Sequence, residues 1–266
     1  MPSGKQSKRK RQAQVAAPPV KGGARRASPK VLIGAGALAV LVVLGIVLAF
    51  VLTGNSSSSD ANVPAQGSLT NALPGAEDVQ QSLEGIPQNG NVLGSPQAPV
   101  TLVEYVDLQC PFCQQFETSV MPTVISRYVR DGKVKVDQRL VAFIGPDSKR
   151  GRAAALAAAG QDKLFNFTQL LYLNQGTENT GWLDDELVKR AAASVPGLDV
   201  QQLLAQRGSG TVSDEASTAE QQATADKVTG TPTILVGKTG EKPQVVTLSS
   251  ATDEQSVVGA IKAALG

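Results

Sequence analysis

Two cysteines, at positions 110 and 113, are the residues whose types and spacing most directly suggest chemistry. The chain has 266 residues, with only these two cysteines and no histidine. Without histidine, Ser–His and Cys–His nucleophilic catalysis and histidine metal sites are excluded. A tetrahedral zinc site needs about four ligands, so two cysteines could form one only with carboxylates or with a second chain. A C-x-x-C pair suits reversible disulfide exchange, and we expect no metal and no cofactor.

The cysteine pair falls between a predicted strand and a predicted helix. Val100 to Val106 is β-rich and indicates a buried strand, and apolar residues at steps of four predict a helix from Gln114 to Arg130. Pro111 suits the first helical turn, because its missing N–H would be unpaired there anyway. Cys110 would then lie at the helix N-terminus, where free N–H groups and the helix dipole stabilise a thiolate. Cys113, about one turn further, would be more buried and could resolve a mixed disulfide.

Three other interpretations of the pair exist, and one of them, a pair of buried unreactive thiols, is disfavoured for cysteines one helical turn apart in an oxidising compartment. A structural disulfide is common outside the cytoplasm, although closing so short a loop removes little entropy from the unfolded chain. Half of a zinc site shared between two chains is the second alternative. The position of the pair between a strand and a helix is what favours exchange chemistry.

The rest of the globular sequence predicts an α/β fold around this segment. A second strand is predicted from Val134 to Val141, and the strand–helix–strand order with a short return indicates a parallel β-α-β unit. Residues 149–228 are predicted to be mostly helical, with a first helix from Arg152 to Leu173. Two further strands, beginning at Thr233 and Gln244, and a last helix follow.

The first 85 residues divide into three segments of different composition. Residues 1–30 contain nine basic residues and no acidic one, and they predict a disordered cytoplasmic tail. Residues 31–52 are uncharged and long enough to cross a hydrocarbon core of about 30 Å, which predicts a transmembrane anchor held by membrane lipid. A cleaved signal peptide is the alternative, although its apolar region is usually only about 7–15 residues long. Residues 53–85 predict a flexible linker.

The charge asymmetry between the segments predicts the topology. Outside the basic tail the chain has 16 basic and 23 acidic residues, a net charge of −7. Because basic residues stay on the cytoplasmic side of an anchor, the N-terminus should be cytoplasmic and residues 54–266 extracytoplasmic. The tail could also bind nucleic acid, but a topology signal accounts for its charge, and no nucleic-acid partner is expected.

Two stretches resemble a known family. Leu102 to Cys113 is similar to the active-site segment of DsbA-like proteins of the thioredoxin superfamily, particularly their membrane-anchored bacterial branch. About 120 residues later, Thr229 to Thr233 resembles the loop that carries the superfamily's cis-proline. The resemblance covers residues 86–266. It implies a thioredoxin-like fold with a helical insertion at about 149–228, preceded by one transmembrane helix.

The resemblance implies roles for four residues at these two stretches. Cys110 would be the attacking cysteine and Cys113 the resolving one, and together they would form the redox disulfide. Pro232 would be cis and packed against that disulfide, whereas the alternative is an ordinary loop proline, since only about 5–6% of X–Pro bonds are cis. Thr231 would offer its backbone to an extended substrate peptide.

Two acidic residues near the pair are further candidates. Glu104 takes the place of a buried acid found below the active site in some family members, where it would accept the proton of Cys113. A strand residue that faces solvent is an equally good interpretation. Asp107 is the second candidate, and it could also be only a cap or turn residue.

Pro111 and Phe112, between the cysteines, are expected to contact substrate. Phe112 departs from the strongly oxidising family members, which have histidine at this position. A histidine there can stabilise the Cys110 thiolate and a phenyl ring cannot, so the direction of exchange stays open.

The resemblance implies an oxidoreductase that introduces disulfides into exported proteins. Its partners would be reduced or unfolded exported proteins and a membrane oxidase of the DsbB or vitamin K epoxide reductase type. A reductase or isomerase is the nearest alternative. A non-catalytic thioredoxin-fold binding module is another, against which the retention of both cysteines speaks.

Overall fold

The computed structural model describes residues 63–266, which form helices packed on both faces of one mixed sheet. The predicted tail at 1–30, the predicted anchor at 31–52 and the start of the predicted linker lie outside these residues. Within 63–266, no helix has the length and apolarity needed to cross a membrane. In chain order the elements are α1 (Ala76–Leu83), β1 (Gln88–Asn89), β2 (Val92–Leu93), β3 (Val100–Val106), α2 (Pro111–Ser119), α3 (Met121–Val124), a π-helical turn (Ile125–Val129), β4 (Val134–Leu140), α4 (Pro146–Ala159), α5 (Leu164–Leu173), α6 (Asp185–Ala193), α7 (Val200–Gln206), α8 (Gly210–Ala225), β5 (Thr233–Lys238), β6 (Gln244–Val245) and α9 (Glu254–Leu265).

Strand β3 occupies the middle of the sheet, whose order is β1-β2-β4-β3-β5-β6. It pairs in parallel with β4, with Val100 opposite Val134 and Val106 opposite Leu140. On its other side it pairs antiparallel with β5. The parallel β-α-β unit predicted from the sequence is therefore confirmed, and the segment after β3 emerges at the centre of the sheet.

The two faces of β3 bury different clusters, because successive side chains of a strand point to opposite sides. Leu102 and Val106 belong to the main core, which also contains Cys113 and residues of the helical insertion. Val103 and Tyr105 lie on the other face in a smaller cluster with Ala223 from the end of α8. This double coverage explains why the strand is almost continuously apolar.

The helical insertion comprises α4 to α8, between β4 and β5, and it confirms the expected fold with a helical insertion. The single helix predicted from Arg152 to Leu173 is wrong, because α4 ends at Ala159 and α5 begins at Leu164. Asp162 in the connecting turn adopts a left-handed conformation with a φ of 56°. Its Oδ1 accepts a hydrogen bond from the N–H of Gly90, 2.9 Å away, which fixes the turn against the β1–β2 hairpin.

The helix predicted from Gln114 to Arg130 is interrupted. The helix α2 ends at Ser119, Pro122 stands in the first turn of α3, and Ile125–Val129 is π-helical. Proline lacks the N–H that an α-helix uses for its hydrogen bonds, so a proline at position 122 kinks or breaks the helix and suits the first turn of a new one.

The linker predicted for residues 53–85 is contradicted at its C-terminal end by helix α1. Ala76, Val79 and Leu83 of this helix are buried. Their spacing of three and four puts them on one face, which packs against α5. The surrounding polar residues concealed this short amphipathic pattern.

Candidate active site

Cys110 lies at the N-terminus of α2, four residues after the end of β3. A turn brings it there: the carbonyl of Asp107 accepts a hydrogen bond from the N–H of Cys110 (3.0 Å), and Asp107 Oδ1 accepts one from the N–H of Gln109 (2.9 Å). Cys110 is the N-cap residue, and Pro111 occupies the first helical turn, as predicted. The free N–H groups of the helix start therefore surround the Cys110 thiol.

The two thiols have opposite electrostatic environments. The pKa of Cys110 is lowered to about 6, mainly by a hydrogen bond from the Cys113 thiol. The side chain of Thr231 and the backbone N–H groups of Phe112 and Cys113 lower it further, while burial opposes the shift. The pKa of Cys113 is raised well above the usual thiol value, first by burial and then by the hydrogen bond and charge of Cys110. Cys110 is 4% exposed and Cys113 is fully buried. This arrangement favours a thiolate at Cys110 and a protonated thiol at Cys113.

The loop that carries Pro232 lies against Cys110. The Thr231–Pro232 peptide bond is cis, so the alternative of an ordinary trans loop proline is wrong. Cys110 Sγ lies 3.3 Å from the carbonyl oxygen of Thr231 and donates a hydrogen bond to it. Strand β5 begins at Thr233 beside β3, and this pairing unites two motifs that lie far apart in the sequence.

Glu104 is completely buried, so the alternative of a solvent-facing strand residue is wrong. It stands on the β3 face that also carries Leu102 and Val106, opposite Gln138 on β4. Gln138 Nε2 donates a hydrogen bond to Glu104 Oε1 over 2.8 Å. Burial raises the pKa of Glu104 to about 7, although the hydrogen bond from Gln138 partly opposes this.

Glu117 is a second buried acid, which the sequence analysis did not single out. It lies one helical turn after Cys113 on α2, and Gln138 Nε2 reaches its Oε1 over 3.2 Å. Burial, followed by the charge of Glu104, raises its pKa well above the usual carboxyl value. Among the residues described, Oε2 of each carboxyl group has no hydrogen-bond partner, and a hydrogen bond with Glu104 is a further cause of the raised pKa of Glu117. The spacing of four from Cys113 was the available sequence signal.

Glu117 also lines a cavity of about 190 Å³ between α1, α2 and α5. Val79, Tyr172 and Leu173 supply much of the apolar wall, and Asp78 adds a second acid. Glu117, one member of the buried carboxyl pair, therefore borders space that water can enter.

Asp107 holds the surrounding loops in place. Its Oδ2 accepts hydrogen bonds from the N–H groups of Phe143 (2.7 Å) and Ile144 (3.1 Å), and its Oδ1 accepts one from the hydroxyl of Ser148 (2.6 Å). The cap and turn interpretation of this residue therefore fits its contacts, because every bond fixes backbone or a neighbouring side chain.

Three segments near Cys110 are uncharged, and two of them expose a phenylalanine ring. Residues 108–116, 141–146 and 228–236 contain no Asp, Glu, Lys or Arg. Of the five phenylalanines in the described part of the chain, three are buried, whereas Phe112 is 58% and Phe143 is 51% exposed. Both exposed rings follow the carboxyl ends of the neighbouring parallel strands β3 and β4. Within residues 63–266, no three His, Cys, Asp or Glu side chains are grouped so that they could hold a metal ion.

A C-x-x-C pair at a helix N-terminus, with one activated thiol facing a cis-proline, defines a thiol–disulfide oxidoreductase. Comparison with known proteins agrees: a family model described as thioredoxin matches residues 87–253, and the chain belongs to this family. The chain is 31% identical over 166 residues to the probable disulfide bond formation protein D of Bacillus cereus, which covers 61% of this chain and 77% of that relative.

Solved structures share the fold. The crystal structure of oxidised BdbD from Bacillus subtilis aligns with a TM-score of 0.58 at 23% identity, over 68% of this chain and 97% of that one. A thioredoxin-like oxidoreductase from Silicibacter pomeroyi aligns with a TM-score of 0.53 at 25% identity, over 70% of this chain and 96% of that one. The expected resemblance to DsbA-like proteins of the thioredoxin superfamily is confirmed.

Proposed function

We propose that this protein introduces disulfide bonds into exported proteins by passing on the disulfide between Cys110 and Cys113. The observation that supports this most directly is the position of Cys110 at the start of α2 beside the cis-proline loop, where its pKa is lowered to about 6. A thiol with a low pKa leaves readily and stabilises the reduced enzyme, so its disulfide is a stronger oxidant. The printed name of the Bacillus cereus relative, a probable disulfide bond formation protein, points in the same direction.

The exchange proceeds in two displacements. A client thiolate attacks Cys110 Sγ, the bond between Cys110 and Cys113 breaks, and its electron pair leaves on the Cys113 sulfur. A second client thiolate then attacks the client sulfur of the mixed disulfide, and Cys110 leaves as a thiolate. The client loses two electrons and gains a disulfide, and the enzyme pair is reduced.

The buried carboxyl pair supplies a proton to this exchange. Cys113 departs as a thiolate into a fully buried site, where its raised pKa favours rapid protonation. Glu104, with a pKa of about 7, gives up a proton near neutral pH and takes it back when the pair is re-oxidised. Glu117 extends this proton store towards the cavity between α1, α2 and α5.

Client polypeptides bind in an extended form across the uncharged surface. The backbone of Thr231 pairs with the client beside Pro232, in the manner of an added strand. Pro111 and Phe112 contact the client next to the cysteine. Unfolded segments fit this surface better than folded ones, because they expose both apolar side chains and unpaired backbone.

The proposed location is supported by the N-terminal sequence, and the proposed electron acceptor by the resemblance to DsbA-like proteins. Residues 31–52 anchor the chain, the basic residues of 1–30 remain in the cytoplasm, and residues 54–266 work outside it. A membrane oxidase of the DsbB or vitamin K epoxide reductase type takes the two electrons from the reduced cysteine pair.

A redox titration against glutathione, combined with oxidation of a reduced and unfolded test protein, tests the proposal. We expect a potential well above that of thioredoxin, about −270 mV, and net formation of client disulfides. Phe112, in place of a histidine, favours the reductase alternative. A potential as low as that of thioredoxin without client oxidation would establish that alternative. Cys110→Ser, which lacks the attacking thiol, is the negative control.

A further inference from the structure

Gln175, in the loop after α5, reaches from the helical insertion to the backbone at the cysteine pair. Its Nε2 donates hydrogen bonds to two carbonyl oxygens, that of Leu108 over 2.8 Å and that of Cys110 over 3.2 Å. The side chain is half-buried. None of the roles assigned above involves this residue.

The two carbonyl groups bound by Gln175 lie on either side of Cys110. One belongs to the peptide unit between Leu108 and Gln109, and the other to the unit between Cys110 and Pro111. Holding both units restricts the torsions in between, including those of Cys110, whose φ is −72° and ψ is 119°. In this conformation Cys110 is the N-cap residue of α2, and the N–H groups of Phe112 and Cys113 at the helix start help to lower the pKa of its thiol.

The same loop is attached to this turn at a second point. The N–H of Asn179 donates to Gln109 Oε1 over 2.9 Å, and Gln109 Nε2 donates to the hydroxyl of Ser148 over 3.2 Å. Gln109 is fully buried. The loop therefore holds the turn through the side chain of Gln109 and through the carbonyl groups around Cys110.

We infer that Gln175 is a positioning residue for the Cys110 thiolate, through which the helical insertion sets the reactivity of the cysteine pair. This inference rests on the proposed role of Cys110 as the attacking thiol. Gln175 acts through backbone geometry and touches neither sulfur. Its loss frees the carbonyl of Leu108 and lets the start of α2 move, so the N–H groups align less well with the thiolate.

The decisive variant is Gln175→Met, which keeps the side-chain length, adds no charge and removes both hydrogen bonds. In the full-length reduced protein, alkylation of Cys110 over a pH series should show its pKa raised by about 0.5–1 unit, the size expected for the loss of one hydrogen bond. The redox potential should fall, because the reduced form is less stabilised. Gln175→Asn, which is too short to reach, should shift both quantities in the same direction and serves if the first variant does not fold.

The neighbouring Asn174 provides a matched control. Its Nδ2 also donates to two carbonyl oxygens, those of Pro74 and Leu170, but neither adjoins Cys110. Asn174→Leu should lower the melting temperature and leave the Cys110 pKa and the potential unchanged. The inference is overturned if both Gln175 variants titrate like the wild type, or if Asn174→Leu produces an equal shift. If Cys110 of the wild-type protein itself titrates as an ordinary thiol, the proposed function loses its main support instead.

Discussion

The chemistry of individual residues depends on where each side chain lies along α2. Cys110 precedes the first turn, where the backbone N–H groups of Phe112 and Cys113 help to lower the pKa of its thiol, whereas Cys113 lies inside the helix and is fully buried. Burial penalises the charged form, and hydrogen-bond donors favour it, so the two thiols move in opposite directions. These opposite shifts support the proposed roles, in which the Cys110 sulfur attacks or leaves and the Cys113 sulfur holds a proton.

The first prediction concerns the cause of the low Cys110 pKa. Cys113→Ala removes the hydrogen bond that contributes most to the lowering, and the pKa should rise from about 6 towards the usual thiol value. Cys113→Ser keeps a hydroxyl donor and should give a smaller rise. The pH dependence of Cys110 alkylation measures both. An unchanged profile in the alanine variant would show that the helix N-terminus alone stabilises the thiolate.

The second prediction concerns stability and pH. Folding raises the pKa of Glu104 from 4.5 to about 7, so between these values the folded state binds more protons than the unfolded state. The stabilisation that the neutral Glu104 gives to the folded state is fully present below pH 4.5 and is lost as the pH rises through about 7. Glu104→Gln removes this dependence, which is worth up to about 3 kcal/mol.

Denaturant unfolding on both sides of this pH window measures the effect. The wild-type protein should lose stability as pH rises, and Glu104→Gln should lose less. Glu117 contributes with the same sign, so some dependence should remain. Glu84→Gln, at an exposed position, is the control. Equal pH profiles for wild type and Glu104→Gln would contradict burial of this acid in its neutral form.

At the scale of elements, sequence patterns predicted the parts that depend on local order. The apolar run of β3 and Pro111 after Cys110 were sufficient to place the thiol at a helix start. Glu117 and Gln175 were missed because their roles depend on contacts with other elements, Gln138 on β4 and the turn before α2. Pro122 was a local signal that the helix would be interrupted, but the apolar periodicity of four residues favoured one continuous helix.

Helix α1 gives a third prediction, because it extends the domain beyond the boundary expected from composition. Leu83 is 3% exposed and belongs to the main core. Leu83→Ala should lower the free energy of unfolding by about 2–5 kcal/mol, as is usual for deleting a buried leucine side chain. Leu69→Ala, at a 43% exposed position, is the matched control. Equal stability of the two variants would mean that α1 is not an integral part of the core.

For the molecule as a whole, charge is distributed unevenly. The chain beyond residue 30 carries a net charge of −7, whereas the three segments around Cys110 carry none. Because these three segments are uncharged, they neither attract nor repel charged clients. Apolar contacts then provide the attraction between this surface and a client. Recognition should then depend on the side chains that flank the client cysteine.

A fourth prediction follows for Phe143, whose ring is half-exposed beside the site. Phe143→Ala should reduce kcat/KM several-fold for peptides with an apolar residue next to the cysteine, and little for peptides with serine there, since a buried aromatic contact contributes about 1 kcal/mol or more. Phe143→Leu should restore most of the difference. Val245→Ala, at a 58% exposed position on β6, is the control. A uniform loss for all peptides would assign Phe143 to the fold and not to recognition.

The last prediction concerns topology. Nine basic residues precede the apolar segment 31–52, and positive charge is retained on the cytoplasmic side of an anchor. Protease added to intact cells should therefore digest the domain formed by residues 63–266, while a cytoplasmic marker survives. Replacing the basic residues of 1–30 with glutamine should weaken this orientation and increase the protected fraction. Complete protection of the wild-type domain would place the cysteine pair in a reducing compartment, where a disulfide donor cannot persist.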